Sequence, residues 1–338
     1  MKKNINYKIA FISCEPWEIE YLQKKLIGLK PDFYDTIVTP ADFKKLESYD
    51  IVSGFIYTNF TAKTLTQLPK LKYITTRSTG FDHIDIKVAN KLNIKVSNVP
   101  LYGANTVAEH TFALILSLSR KMYDSINQTK RSDFQLDGLR GFDLQGKTIG
   151  VVGTGSIGAH VIRIAHGFGM NILLFDGRKN IQLAKKYHAK YVSFQTLLKH
   201  SDIISLHVAY NKKTHHLINQ KNIQLIKQGA YLINTARGGL IETKALLKAL
   251  VDKRLAGAGL DVLEEEGLIK EEVQLLDRQE SREKLSTLLH DHILLKFDNV
   301  IVTPHNAFNS VEALQRILDT TIENILAFSV HKPINVVK

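Results

Sequence analysis

Short apolar runs recur along the chain, and between many of them apolar residues fall at every third or fourth position. The first pattern belongs to strands buried on both faces, the second to helices with one apolar stripe. In the N-terminal third, "YKIAFIS", "DIVSGFIY" and "LKYITTRSTG" predict strands, and "EPWEIEYLQKKLIG" predicts a helix ending at Gly28. "VAEHTFALILSLSRKMYDSINQ" keeps helical spacing for about six turns and predicts one long, largely buried helix. A regular series follows: "KTIGVVGTGSIG", "MNILLFDG", "KYVSF", "DIISLHV", "GAYLINTA", "AGAGLDV" and "VIVTPH", with helical stretches between several of them. "SVEALQRILDTTIENILAFSV" predicts a final amphipathic helix. Alternation of this kind implies parallel sheets covered by helices on both faces, an α/β fold.

The chain has 338 residues, enough for two domains. The glycine turn "GVVGTGSIG" lies well inside it, after a stretch that already reads as α/β. The simplest architecture is a dinucleotide-binding domain inserted into a first domain, which the last helix completes. A binding cleft is then expected between the two.

Composition narrows the classes. Hydrophobic residues make up 44% and charged residues 23%, an ordinary globular balance. The single cysteine, Cys14, follows the apolar run "IAFIS" and reads as a buried thiol; alone it forms neither an internal disulfide nor a cysteine zinc site. The first residues lack the apolar core of a signal peptide, and no apolar run is long enough for a membrane span, so the cytoplasm is the expected compartment. The formal charge is +12, yet the lysines are spread along the chain without a basic run or a recognition-helix signature. A diffusely basic surface that draws small anions is the more economical reading, with no nucleic-acid or membrane partner.

Gly153, Gly155 and Gly158 form G-x-G-x-x-G between a strand and a helix. The first glycine permits a tight turn, the second lets a pyrophosphate approach the backbone, and the third lets helix and strand pack closely. The helix start offers unpaired N–H groups to phosphate. Asp176 ends the next strand, where an acid accepts from ribose hydroxyls and repels a 2′-phosphate. That favours NAD over NADP, a preference that Arg178 and Lys179 would soften.

Reduction of a carbonyl by a nicotinamide further needs a cation for the substrate, a proton donor, and a group that tunes the donor. Arg237 follows "AYLIN", and its planar fork suits a 2-oxo acid; Gly238 and Gly239 are expected to leave room beside it. Glu264, Glu265 and Glu266 follow "GLDVL", and spacing alone does not choose among them. His305 follows "VIVTP". Taken singly it reads as a structural histidine, but these groups all end consecutive strands. A glutamate bonded to one ring nitrogen would favour the protonated ring, ready to donate. His215 and His216 are adjacent; neighbours point apart, so they read as solvated loop residues and no metal site is expected.

With "VVGTGSIG...FD", "SDIISLHV", "KQGAYLINTARGGLIE", "LDVLEEEG" and "TPHNAF" in this order, the chain resembles the D-isomer-specific 2-hydroxyacid dehydrogenases over nearly its whole length. "YITTRSTGFDHID" and "TPHNAF-S-EAL" look most like the D-lactate dehydrogenase branch. L-lactate dehydrogenases differ, with their glycine turn close to the N-terminus.

The resemblance implies two doubly wound domains. One is a flavodoxin-like substrate domain from residues 1–101 and 304–338; the other is an inserted Rossmann NAD-binding domain from 102–303. It implies Arg237, Glu266 and His305 as the catalytic set, Glu266 being the second Glu of the family's D-V-[FY]-E-x-E. Thr79 and Gly80, with Ser78 beside them, match the segment that binds the substrate carboxylate, although the family's usual pattern there is closer to G-V-G. Tyr102 and Phe308 would face the substrate, and Thr106 and Val107 the nicotinamide. Ser156, Ile157, His207, Val208, Ala209, Thr214, Thr235, Ala236 and Asp261 would line the cofactor, together with Arg237. Ala209 stands where a Pro is common, and Gly267 where a Pro often follows the acid. A homodimer through the cofactor domain and the long helix after Asn105 is expected.

The leading expectation is NAD-dependent interconversion of pyruvate and D-lactate. Another 2-oxo acid (hydroxypyruvate, glyoxylate, phenylpyruvate or a branched-chain acid) is an alternative. So is an NAD-sensing, corepressor-like binding protein.

Overall fold

The computed structural model describes residues 7–35, 41–264, 266 and 282–337. Glu265 and residues 267–281, which include Gly267, lie outside the described residues. The chain divides into two compact units, Met1–Tyr102 with Ser310–Lys338, and Gly103–Asn309.

The first unit holds strands β1 (Ile9–Ile12), β2 (Asp32–Tyr34), β3 (Ile51–Gly54), β4 (Tyr73–Thr76) and β5 (Lys95–Ser97). Its helices are α1 (Pro16–Lys25), α2 (Ala62–Leu65) and α3 (Ile86–Lys91). All strand pairs are parallel, in the order β2-β1-β3-β4-β5. Side chains of β1 alternate between two cores: Ala10 and Ile12 pack with Val52 and Ile74, whereas Ile9 and Phe11 pack with Leu318 and Ile325. A strand apolar on both faces therefore needs cover on both. The three-residue strands β2 and β5 are too short to stand out as apolar runs; they close the sheet's two edges.

The second unit begins with helices α4 (Ala104–Ser119) and α5 (Met122–Lys130). Strand β6 (Thr148–Val152), helix α6 (Ser156–Gly167), strand β7 (Asn171–Phe175) and helix α7 (Ile181–Lys186) follow. Then come β8 (Lys190–Tyr191), α8 (Phe194–His200), β9 (Ile203–Leu206), β10 (Ala230–Asn234), α9 (Thr243–Val251) and β11 (Leu255–Leu260). Helix α10 (Arg282–Leu294) and strand β12 (Val300–Val302) complete this unit. The sheet is parallel throughout, ordered β12-β11-β10-β9-β6-β7-β8. Strand order reverses between β9 and β6, and open α/β sheets bind ligands outside the carboxyl ends of such strands. The last helix, α11 (Val311–Ser329), returns to the first unit. There Phe328 stacks on Tyr73 with ring centroids 4.2 Å apart, and Tyr21 donates to Asp319 at 2.6 Å.

Two features depart from the sequence reading. The long helix is broken: α4 ends at Ser119, and Lys121 turns with φ +52° before α5. The cause lies far along the chain, where the Phe142 N–H takes the Ser119 carbonyl at 2.9 Å. The unit boundary also falls later than expected, after Asn309 rather than at 303. The His305 loop stays with the second unit because its backbone is fastened to Asp261 at the end of β11, as described below.

Candidate active site

At the switch point, Gly153 takes φ +98°, and a Cβ there would lie 2.5 Å from the His207 carbonyl oxygen after β9. Only glycine allows both the turn and the close approach. A Cβ at Gly158 would meet the Gly153 carbonyl at 2.0 Å, whereas nothing lies within 4 Å of one at Gly155. The turn is thus packed from beneath and open above Gly155. Ser156 and Ile157 start α6 directly beyond it. An open backbone at a helix N-terminus fits a pyrophosphate.

Asp176, just past β7, is tied to this turn. Its Oδ2 accepts from the Thr154 N–H at 2.6 Å and the Thr154 hydroxyl at 3.0 Å, and its Oδ1 from the Arg178 N–H at 2.8 Å. Burial alone would raise its pKa, but these donors outweigh it and hold the carboxyl below the usual carboxylate range. The group is an anchored anion, suited to ribose hydroxyls.

His207 pairs its Nε2 with Ser205 Oγ at 2.7 Å, while Nδ1 is buried without a partner. Burial pushes its pKa down to about 3. The unfolded chain therefore takes up a proton between pH 6.5 and about 3 that the folded protein refuses, so stability falls as pH drops through that window. Between pH 6.5 and 5, urea unfolding is expected to show wild type losing roughly 1–2 kcal/mol more than His207→Asn. Equal losses would mean that the folded protein accepts the charge.

The first turn of the loop after β9 is braced from within. The Thr214 hydroxyl donates to the Ala209 carbonyl at 2.7 Å and accepts from the Asn211 N–H at 2.8 Å, with Val208 half-buried beside it. Thr235, after β10, is buried and shares a 3.0 Å hydrogen bond with Thr111 of α4; Ala236 is half-buried. Val107 is buried and Thr106 half-buried near the start of α4. Phe308 sits 3.8 Å from where a Gly103 Cβ would be.

Arg237 leaves the end of β10 in an extended conformation, half-buried, its Nη1 donating to the Ala236 carbonyl at 2.8 Å. Asn234 braces the turn, donating to the Arg237 carbonyl at 2.9 Å and accepting from the Ala236 N–H at 3.0 Å. The two glycines do not leave open room, as the sequence suggested. A Cβ at Gly238 would strike the Leu263 carbonyl oxygen, and one at Gly239 the Tyr210 ring at 2.7 Å. Gly239 lets the loop after β9 pack on this turn, and Gly238 lets the loops after β10 and β11 press together.

That contact separates the acids. Glu264 Oε2 accepts from the N–H and hydroxyl of Thr243, at the start of α9, and Glu264 Oε1 pairs with His216 Nε2. Glu264 is thereby committed to structure. Glu266 instead places Oε1 2.6 Å from His305 Nδ1. His216 is correspondingly half-buried rather than a solvated loop residue. It also lies stacked on His215 at 3.8 Å, not pointing away, its φ of +48° bringing both rings to one side.

His305 itself adopts φ +55°. A non-glycine residue held there signals a constrained position. Its N–H donates to the carbonyls of Asp261 and Thr303 at 2.8 and 2.9 Å. The Asp261 carboxylate, almost wholly buried, accepts from the N–H groups of Asn306 and Ala307 at 3.0 and 2.9 Å and from the Thr303 hydroxyl. His110 of α4 lies 3.0 Å from that hydroxyl. Asp261 thus anchors the loop that presents His305. Sequence reasoning missed this role, and it missed His110; the signal was a buried acid closing one strand beside a His-bearing loop after the next.

In the first unit, Ser78 is buried and its hydroxyl donates to the Gly80 carbonyl at 2.7 Å. Thr79 is exposed, its hydroxyl donating to the Val99 carbonyl at 2.8 Å and its carbonyl accepting from Asn98 at 2.7 Å. Arg77, overlooked in the sequence, is buried and clamps the ends of β1 and β4, donating to the carbonyls of Ile12 and Ser13 at 2.8 and 2.6 Å. The Tyr102 carbonyl accepts from Arg316 of α11 at 2.7 Å. Cys14 is half-buried rather than fully buried as the sequence suggested, and burial pushes its thiol up to about 11.

Among the described residues no group of three or more His, Cys, Asp or Glu is arranged to hold a metal ion, and no helix is long and apolar enough to cross a membrane. A parallel sheet with a phosphate-ready turn, a ribose-ready acid, and Arg and His–Glu groups at neighbouring strand ends defines a dinucleotide-dependent oxidoreductase.

Comparison with known proteins gives the particular family. Residues 112–307 match the model of the D-isomer specific 2-hydroxyacid dehydrogenase NAD binding domain. D-lactate dehydrogenase of Escherichia coli is 33% identical over 94% of this chain and 95% of its own length. The D-specific alpha-keto acid dehydrogenase of Enterococcus faecium is 37% identical over 96% and 97%. The solved D-lactate dehydrogenase of Aquifex aeolicus, complexed with NAD and lactic acid, has a TM-score of 0.88 at 37% identity and 96% coverage of both chains. The chain belongs to the D-isomer specific 2-hydroxyacid dehydrogenases, in their D-lactate dehydrogenase branch, and is an NAD-dependent enzyme.

Proposed function

We propose that the enzyme interconverts pyruvate and D-lactate, with His305 as the acid and base. The observation that carries the reading is the 2.6 Å bond between Glu266 and His305 Nδ1, with Arg237 in the turn just beyond β10 of the same sheet. With Nδ1 engaged, Nε2 is the ring atom that passes a proton to the substrate oxygen and retrieves it in the reverse direction. Glu266 fixes the ring and stabilises its cation. Arg237 grips the carboxylate and the adjacent oxygen with two parallel N–H groups. By resemblance, Thr79 and Gly80 take the carboxylate, with Ser78 holding their turn, and Tyr102 and Phe308 shape the methyl side. NAD, when bound, exchanges hydride with the carbon that bears this oxygen. Thr106, Val107, Val208, Ala209, Thr214, Thr235 and Ala236 line its site beside the glycine turn, and Asp176 takes its ribose.

Support for pyruvate comes from the relatives named for D-lactate, at similar identity and near-full coverage. The relative named for alpha-keto acids makes larger 2-oxo acids the competing substrates. The test is NADH oxidation by the purified protein across pyruvate, hydroxypyruvate, glyoxylate, phenylpyruvate and a branched-chain 2-oxo acid. The highest kcat/KM on pyruvate is expected. A larger acid at the top would move the substrate, and no turnover with NADH still bound would favour a cofactor-sensing binding protein.

The enzyme is further proposed to be a homodimer through α5. None of that helix's side chains is buried, and Met122, Tyr123 and Ile126, with Phe134 and Leu136 beyond it, stand exposed. An apolar face of this kind on a dissolved protein calls for a partner. Light scattering is expected to give twice the chain mass, and Ile126→Glu with Phe134→Asp to lower it towards one chain. A dimer indifferent to both substitutions would place the interface elsewhere.

A further inference from the structure

The acid that meets the ribose is the end of a row of hydrogen bonds. Thr154 Oγ1 lies 3.0 Å from Asp176 Oδ2 and 2.9 Å from the Tyr191 hydroxyl, which lies 2.8 Å from the Asn180 N. The ends of the row fix the direction of every bond. A main-chain N–H only donates, so the Tyr191 oxygen accepts from Asn180. A carboxylate only accepts, so the Thr154 hydroxyl spends its proton on Asp176. The proton between Thr154 and Tyr191 must then be the phenol's. The row runs one way, from Asn180 through Tyr191 and Thr154 to Asp176, and each bond polarises the next.

The surroundings hold this row in place. Thr154 is buried and sits within the glycine turn, and the side chain of Asn180 caps α7 by accepting from the Leu183 N–H at 3.0 Å. Lys179 carries its Nζ over the Tyr191 ring, 5.9 Å from the centroid. A 2′-phosphate needs a cation at this end of the nucleotide site and is repelled by a fixed carboxylate. Arg178 and Lys179 supply the cations in sequence. The Tyr191 ring offers one of them a competing resting place.

We propose that Tyr191 is a positioning residue for cofactor choice. Its hydroxyl, acting through Thr154, locks Asp176 in the orientation that receives a free 2′-hydroxyl. Its ring keeps Lys179 from serving a 2′-phosphate. The proposal rests on Asp176 being the ribose acid.

The test compares dissociation constants of NADH and NADPH, read from the fluorescence of the reduced nucleotide. Tyr191→Phe keeps the ring and removes the hydroxyl; it should weaken NADH about 3- to 10-fold, the scale of one hydrogen bond, and leave NADPH nearly unchanged. Thr154→Val should act in the same direction, and the double variant no further than Thr154→Val alone, because Tyr191 works through Thr154. Tyr191→Leu, which also releases Lys179, should in addition tighten NADPH several-fold. Equal weakening of both nucleotides by Tyr191→Phe, an unchanged ratio, or additive effects in the double variant would overturn the proposal. Asp176→Ala separates the two levels. If it leaves the NADH preference intact, the ribose assignment falls and the proposal with it. If it collapses the preference while Tyr191→Phe does not alter it, only the role of Tyr191 falls.

Discussion

Replacement of His305 by Ala is expected to lower kcat for pyruvate reduction by about 10²–10⁴-fold, the span of a lost general acid, while NADH binds as before. The loop should survive the change. It is held by the His305 N–H on two carbonyls and by the Asp261 carboxylate on Asn306 and Ala307, none of which uses the imidazole. Glu266→Gln should cost less, because a neutral amide still orients the ring while ceasing to stabilise its charge. Stopped-flow binding of NADH beside steady-state rates separates the two effects. Loss of NADH binding in His305→Ala would assign this residue to the cofactor instead.

Arg237→Lys is the second large effect. A lysine keeps the charge but loses the planar fork, so one of two parallel bonds to the 2-oxo acid is lost. We expect kcat/KM for pyruvate to fall about 10²–10³-fold, as for removal of one donor from a developing oxyanion. The loop should again persist, since Asn234 braces it through main-chain atoms. A small change confined to KM would mean that Arg237 only attracts the anion.

Asp261→Asn would act through geometry rather than chemistry. This residue shows where the sequence was legible and where it was not. Central strands announced themselves because β1 and its neighbours are apolar on both faces, a local property. The glycine turn was readable because each glycine answers a local demand of backbone space. The three successive glutamates were not separable by spacing, because the distinction is tertiary: Thr243 and His216 claim Glu264, and His305 takes Glu266. The preference for Glu266 came from family resemblance, not from periodicity. The end of α4 was hidden for the same reason, since the group that takes the Ser119 carbonyl belongs to Phe142. The left-handed backbone of His305 and the buried anchor beneath it depend on contacts between β11 and the loop after β12, which no short stretch records. The substrate segment shows a further limit. Ser78 and Thr79 are polar where the family pattern suggested small residues, yet both hydroxyls are spent within the first unit.

The proposed action on D-lactate and pyruvate is tested by the reduction of NAD by the purified enzyme with each lactate enantiomer in turn. NADH should form with D-lactate and not with L-lactate. Turnover of L-lactate in preference, or of neither enantiomer while NAD binds, would contradict it.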